Sequence, residues 1–113
     1  MRHFDREFRL WDFRVSHDQL LLRSAKTDTF PTNIDIAFVG VEYIELPTRI
    51  ESPTICPPAE ADVERAQLAL GRNIPSDQIF VVEAGNSRYL VVAAAMKASE
   101  NDLDFMESSL ERF

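Results

Sequence analysis

Apolar and polar residues alternate along two stretches near the amino terminus, 8–15 and 19–24, with the period of two that is typical of β-strands. The residues between them have turn composition, so we predict a hairpin. Its expected register places Asp12 opposite Arg23 as a pair of opposite charges. The apolar face that we expect to enter the core consists of Trp11, Phe13, Val15, Leu20 and Leu22.

The longest β-prone stretch, residues 33–47, is apolar on both faces in its middle, which indicates a central strand. Strict alternation would place the carboxylate of Glu42 on the same face as Phe38, where an unpaired charge is costly. An extra residue at Gly40 would turn Glu42 away from that face. We therefore predict one long central strand with a bulge at Gly40.

The clearest helix follows a proline-rich segment, 47–58, which leaves room only for a short edge strand over 49–55. Residues 59–70 carry acidic side chains in the first turn and small or apolar residues at helical spacing. Gly71 provides the stop. We predict a helix of about three turns whose small residues pack closely on a sheet.

A second hairpin is predicted over 78–84 and 87–96, joined by a two-residue turn in which Gly85 takes the positive φ of a type II′ turn. In this register Glu83 faces Arg88. Both faces of the hairpin are apolar, so each face needs a cover. We expect the helix to cover one face and other strands to cover the second.

The last fifteen residues are ambiguous. Four apolar residues lie at helical spacing, whereas Leu103 and Phe105 alternate like a short strand. The helically spaced residues are Leu103, Met106, Leu110 and Phe113. We predict a short strand or extended piece followed by a frayed end.

These elements predict an α+β fold, mainly an antiparallel, curled β-sheet of about six strands with one α-helix packed on it. The chain has 113 residues, the usual size of one domain, so we expect a single globular domain over 1–113.

Charge and composition exclude several partners. The net charge of -7 and the scattered basic residues argue against nucleic acid and anionic membranes, and favour a basic protein partner. Cys56 is the only cysteine, and the chain shows neither a signal-peptide pattern nor an apolar run that could span a bilayer. We therefore expect a soluble cytoplasmic protein.

Four residues are candidates for a binding site: Glu42, Tyr43, His17 and Arg23. Carboxylates beside a bulge in a central strand can line a pocket, although Glu42 and Glu45 could equally share a less buried face or pair with Arg49 or Arg23. His17 beside Asp18 suggests a general base, but both are expected at a solvated turn. The histidine spacing supports no metal site, and no cofactor is predicted.

The run 15–24, followed by residues 33–36 and 38–43, resembles a group of short bacterial hypothetical proteins with no assigned activity. The likeness covers about the first half of the chain. It implies a bacterial, cytoplasmic origin and brings no catalytic residue with it.

Two functions remain open from the sequence. We favour a non-enzymatic binding or regulatory module that engages a protein partner, or itself as a homo-oligomer, because the apolar hairpin faces exceed what one helix can cover. The alternative is a small-molecule-binding protein or a hydrolytic enzyme with a pocket in the curled sheet, lined by Glu42, Tyr43 and either His17 or Arg23.

Overall fold

The computed structural model describes residues 1–105 and 107–112, and this part of the chain forms ten strands and one α-helix. The strands are β1 Arg2–His3, β2 Glu7–Arg14, β3 Gln19–Ser24, β4 Asn33–Val39, β5 Tyr43–Glu45, β6 Arg49–Glu51, β7 Thr54–Cys56, β8 Ile79–Ala84, β9 Ser87–Val92 and β10 Ala95–Asn101. The helix α1 is Glu60–Leu70, and one-turn 3-10 helices lie at Val15–His17, Ser76–Gln78 and Ser109–Arg112. No helix among these residues is long and apolar enough to cross a membrane.

Two antiparallel sheets of five strands each stack face to face. The first has the order β1-β7-β8-β9-β5, and the second has the order β10-β4-β3-β2-β6. The α+β class and the antiparallel pairing are confirmed, but the single curled sheet of about six strands is wrong. The second hairpin is apolar on both sides, and stacking two sheets buries one face of each hairpin against the other sheet.

The main core lies between the sheets. The second sheet contributes Phe8, Leu20, Leu22, Ile36 and Phe38, and the first sheet contributes Ile55, Val82 and Val91. The rings of Phe38 and Phe80 meet edge to face across this interface, with their centroids 5.6 Å apart. This interior is filled with apolar side chains of the described residues.

Helix α1 covers the outer face of the first sheet. Ala66 is fully buried and packs with Ile79, Val81 and Leu90. The predicted helix is confirmed to within one residue at its start, and Gly71 ends it with a φ of 67° while its N–H donates to the carbonyl of Gln67 at 2.8 Å. The small side chains of the predicted stripe allow this close approach.

The second hairpin has the predicted register, with Glu83 opposite Arg88, and Gly85 takes a φ of 59°. It is covered as predicted, by α1 on one face and by the other sheet on the second. Its second strand ends at Val92, earlier than predicted, because the chain then crosses to the second sheet and begins β10.

At Gly40, where we predicted a bulge within one long strand, the chain instead crosses from the second sheet to the first. Strand β4 ends at Val39, and β5 pairs with β9 in the first sheet. Gly40 has a φ of 64°, and a Cβ atom on it would lie 2.9 Å from the Cβ atom of Ala94. Glycine therefore allows both the sharp turn and the close approach of the return crossing at Ala94.

The first hairpin is confirmed, but its predicted register is wrong by two residues already at the tip, where Val15–His17 form a 3-10 turn and Phe13 lies opposite Leu20. An irregularity at Trp11, between Leu10 and Asp12, then shifts the register once more. Beyond it, Arg9 lies opposite Arg23, whereas Asp12 lies opposite Leu21. The extra residue turns Trp11 to the outer face of the second sheet.

The core face that we predicted for this hairpin is therefore wrong in part. Leu20 and Leu22 are buried between the sheets, as predicted. Val15 begins a one-turn 3-10 helix and is 78% exposed, and Phe13 is 38% exposed.

The proline-rich segment holds two short strands, β6 and β7, where one short edge strand was predicted. Each lies in a different sheet, with β6 at the edge of the second.

The carboxyl-terminal segment is not frayed over its described residues. Strand β10 ends at Asn101, and no strand contains Leu103 or Phe105. Leu110 is 1% exposed and packs with Leu21 and Ala37 on the outer face of the second sheet. The predicted helical spacing includes Met106 and Phe113, which lie outside the described residues.

Candidate functional site

The four predicted site residues do not converge. Tyr43 packs on the outer face of the first sheet, and Arg23 lies on the outer face of the second, so the two are on opposite sides of the molecule. His17 is exposed at the tip of the first hairpin, where its Nδ1 lies 2.8 Å from the hydroxyl oxygen of Ser16. The structure therefore does not bring these four residues together in one pocket.

Glu42 and Glu45 form ion pairs at the surface with arginines from other elements. Glu42 pairs with Arg72, and an oxygen of Glu45 lies 2.7 Å from Arg65 of the helix. One alternative from the sequence paired these carboxylates with Arg49 or Arg23, and the structure shows different partners. The Tyr43 hydroxyl donates to Glu45 at 3.2 Å, and burial together with this carboxylate raises the pKa of Tyr43. These contacts connect β5 and the residue before it to α1 and to the loop that follows it.

Arg23, in contrast, is the centre of a buried ionic network. Its side chain is 1% exposed, and its Nε and Nη2 atoms donate to the two carboxylate oxygens of Asp35 at 2.7 and 2.9 Å. Its Nη1 atom donates to the carbonyl of Glu107 at 2.7 Å, and the amide of Asn101 donates to Asp35 at 2.8 Å. The network ties β3 and β4 to the carboxyl-terminal segment.

Burial alone would raise the pKa of Asp35, because it penalises the charged carboxylate. The hydrogen bonds from Arg23 and Asn101 outweigh that penalty and hold the pKa of Asp35 below its ordinary value. The pair is therefore ionised near neutral pH, and Arg23 keeps its positive charge in the interior.

Next to this network, three arginines lie side by side across three strands. Arg9 of β2 is directly opposite Arg23 of β3 on one side and Arg49 of β6 on the other. Like charges in such positions destabilise a sheet. Glu7 and Glu51 form the next row along β2 and β6, and the Glu7 carboxylate lies 3.6 Å from Nε of Arg9.

The arginine row borders a concave site that we call the arginine groove. It has a volume of about 370 Å³. It is lined by three arginines, one carboxylate and neighbouring polar and aromatic residues: Arg6, Glu7, Arg9, Trp11, Arg23, Ser24, Ala25, Thr27, Thr29 and Phe30. Strands β2 and β3 form its floor, and the loop between β3 and β4 forms one wall.

Two of the guanidinium groups in the groove are held against aromatic rings. The guanidinium carbon of Arg6 lies 4.4 Å from the ring centroid of Phe30, and that of Arg23 lies 5.4 Å from the ring of Trp11. Arg6 also donates to the hydroxyl of Ser24 at 2.9 Å and to the carbonyl of Thr32 at 2.8 Å. Within the described residues Arg6 has no ion pair with a carboxylate.

The groove offers hydrogen-bond donors and positive charge, which suits the binding of an anion. Over residues 1–105 and 107–112, no group of three or more histidine, cysteine, aspartate or glutamate residues could hold a metal ion. Cys56 is buried, and its thiol contacts the carbonyl of Thr54 at 3.7 Å, as expected for a structural thiol.

Sequence reasoning found one member of this groove, Arg23, and missed the others. Arg6 and Arg9 are isolated in the sequence, so they form no basic run. They come together with Arg23 only because of the register that the 3-10 turn at the hairpin tip and the irregularity at Trp11 set. The available signal was that Arg6 and Arg9 lie close in the sequence to Trp11, the only tryptophan. Arginines near a tryptophan are common on exposed strand faces.

Comparisons with protein-family models, with curated proteins and with solved structures give no match to this chain, so the functional argument depends on the geometry.

Proposed function

We propose that this chain is a non-enzymatic binding module that engages a protein partner through the arginine groove. The observation that carries the proposal is the position of Arg9, which faces Arg23 and Arg49 across neighbouring strands in a chain whose net charge is -7. Like charges opposite each other repel, and this repulsion is only partly compensated, by Asp35 at Arg23 and by Glu7 at Arg9. An anionic ligand in the groove would relieve that repulsion.

The partner segment that suits this site is acidic. The net charge of the whole chain favours a basic partner, but salt screens charges beyond about 8–10 Å, so the groups that line a site dominate at contact. Arginine clusters on a concave surface are a recurring way to recognise acidic or phosphorylated peptides. The groove is therefore better suited to an acidic segment than the chain composition alone indicates.

Self-association is less well supported than binding to another protein. The apolar faces of the hairpins, which would have favoured a second subunit, are covered within the chain by the opposite sheet and by α1. An acidic surface of a second copy could still occupy the groove. Light scattering of the purified protein over a range of concentrations distinguishes that case.

We also propose a cytoplasmic location. A single, buried, unpaired cysteine is typical of proteins from reducing compartments.

The test of the proposed function is a capture experiment with a matched pair of charge reversals. Arg9→Glu alters the groove, and Arg72→Glu alters a comparable arginine that pairs with Glu42 near the helix end. The two side chains are similarly exposed, at 50% and 44%. Tagged wild-type protein and both variants are used to capture partners from lysate of the source organism at low and moderate salt.

We expect a stoichiometric partner that binds wild type and Arg72→Glu but not Arg9→Glu, and whose capture weakens as salt increases. Equal capture by all three proteins would contradict the groove as the binding surface. Loss of capture by both variants would indicate a general effect of negative charge rather than a site.

A further inference from the structure

We infer that the partner segment bound at the arginine groove carries an acidic side chain next to an aromatic side chain, and that the aromatic ring lies against Trp11. This inference rests on the proposed function and specifies the kind of segment that the groove takes. Three observations carry it: the small net charge of the groove, a second cavity that shares Trp11 with it, and a segment of the chain itself that already lies on this face.

The groove alone has little net charge. Its lining includes three arginines and the carboxylate of Glu7, which lies 3.6 Å from Arg9. Asp35 neutralises Arg23 and occupies two of its donors. Three positive and two negative charges leave an excess of one positive charge. A single charge at a partly exposed site is screened by salt and adds little affinity, so a partner needs apolar contacts as well as an acidic group.

A second cavity, which we call the Trp11 cavity, adjoins the groove and supplies apolar surface. It has a volume of about 410 Å³, and Arg9 and Trp11 line both spaces. Phe105 also lines the Trp11 cavity, with its ring edge to face on the ring of Trp11 and the two centroids 5.0 Å apart. The Phe105 side chain is 72% exposed. Exposed aromatic rings beside an arginine are enriched among the residues that dominate binding energy at protein interfaces.

The polar groups of the two spaces assign different parts of the partner to each. Asp12 and Glu107 line the Trp11 cavity, and their carboxylates repel an acidic group, which is therefore directed to the arginine groove. An aromatic ring suits the Trp11 cavity better than an aliphatic chain does. Its negative face attracts the guanidinium of Arg9, and its positive edge suits the two carboxylates and the edge-to-face packing of neighbouring rings.

The chain's own carboxyl-terminal segment shows that this face accepts an aromatic ring flanked by acidic residues. Phe105 packs on Trp11, and the carboxylate of the preceding Asp104 lies 3.8 Å from Nζ of Lys26. A partner segment of the same acidic and aromatic composition would continue this arrangement into the adjoining groove.

The site contains its own spectroscopic reporter, because Trp11 is the only tryptophan in the chain. Its fluorescence is followed while the purified full chain is titrated with three five-residue peptides that are blocked at both ends. The first has aspartate, phenylalanine and aspartate at alternate positions with alanine between them, because alternate side chains of an extended segment lie on one side. The second has asparagine in place of both aspartates, and the third has leucine in place of phenylalanine.

The proteins are wild type, Arg9→Gln, Phe105→Ala and the control Leu68→Ala. Leu68 is a matched control because it is an exposed apolar side chain, at 84%, on the helix and away from both spaces. Thermal melting checks that the variants fold as wild type does.

We expect the first peptide to change the Trp11 emission saturably and to bind at least about threefold more tightly than either altered peptide. Its advantage over the asparagine peptide should decrease as salt increases. Arg9→Gln and Phe105→Ala should each weaken its binding about fivefold, and Leu68→Ala should leave it unchanged.

Four outcomes would overturn the inference. They are no saturable binding of the first peptide to wild type, equal binding of the leucine peptide, equal binding of the asparagine peptide, and equal losses in Leu68→Ala and Phe105→Ala. The capture experiment with Phe105→Ala added separates this inference from the proposed function. A partner whose capture depends on Arg9 but not on Phe105 would sustain the proposed function and reject the aromatic contact, whereas capture that does not depend on Arg9 would reject the proposed function itself.

Discussion

The outer faces of the two sheets are covered in different ways. On the first sheet, the 11-residue helix α1 lays Ala66 over an apolar surface that includes Val81 and Leu90. On the second sheet, a single turn at the carboxyl terminus brings Leu110 onto Leu21, and a buried ion pair lies beside it. The rest of that face is left as the arginine groove.

The difference shows how the two sheets of one domain can serve different purposes, one outer face contributing stability and the other a binding surface. Burial of apolar surface under a helix stabilises the fold and leaves nothing polar for a ligand to bind. A buried ion pair adds little net stability, because the cost of removing two charges from water offsets their attraction. It does hold Arg23 in a fixed position at the groove, which suits a binding surface.

The largest expected effect comes from breaking the ionic network. Asp35→Ala leaves the charge of Arg23 buried without its partner, and we expect a loss of about 3–5 kcal/mol in the free energy of unfolding. Urea unfolding followed by circular dichroism measures this loss.

A double variant, Arg23→Met with Asp35→Leu, is the control for that prediction, since it removes both charges and keeps apolar volume. It should recover at least half of the loss. A double variant as unstable as Asp35→Ala would show that the ion pair itself stabilises the second sheet, and the contrast between the two outer faces would then fail.

Next in size is a pair of matched core truncations. Leu90 and Leu21 are both fully buried, the first beneath α1 and the second beneath the carboxyl-terminal turn. We expect Leu90→Ala to cost about 3–4 kcal/mol and Leu21→Ala about 2 kcal/mol, because a single turn can shift to fill part of the cavity. Urea unfolding of the two variants side by side checks the order, and the reverse order would mean that the terminal turn is the more rigid cover.

A smaller effect is expected at the start of the helix. The Asp62 carboxylate accepts from the backbone N–H of Ala59 at 2.8 Å and from Arg88 at 2.5 Å. We expect Asp62→Ala to cost about 1–2 kcal/mol, as for the loss of a helix cap with a charged partner.

This effect should depend on pH in a definite direction. The hydrogen bond from Arg88 outweighs desolvation and holds the pKa of Asp62 below its ordinary value, so its stabilisation is present above the unfolded pKa of about 4. The stabilisation is lost as the pH falls through the lower, folded pKa. Unfolding measured between pH 7 and pH 2 should show the wild type approaching Asp62→Ala at the acid end, and a constant gap would contradict the ionic origin.

The smallest expected effect on stability is at the groove itself. Arg9→Gln removes a like charge from the row, so the free energy of unfolding should stay within about 0.5 kcal/mol of wild type or increase slightly. A large loss of stability would mean that Arg9 supports the fold.

The sequence predicts the side of the molecule covered by α1 better than the side that carries the arginines, for a physical reason. Residues 59–70 and the turn at Gly85 are determined by local chemistry: acidic residues at a helix start, a glycine stop and a two-residue turn. The register of the first hairpin depends on the 3-10 turn at its tip and on an irregularity at Trp11, and periodicity reveals neither. Because that register assembles the arginines, the candidate site could not be predicted either.

The crossing at Gly40 also has a kinetic consequence. Ala37, just before it, pairs with Lys97, more than half the chain length away, and the return crossing at Ala94 lies directly against Gly40. During synthesis, β4 therefore has one edge unpaired until β10 has left the ribosome. Such distant pairings slow folding, and the open edge of β4 is the surface from which a newly made chain would aggregate.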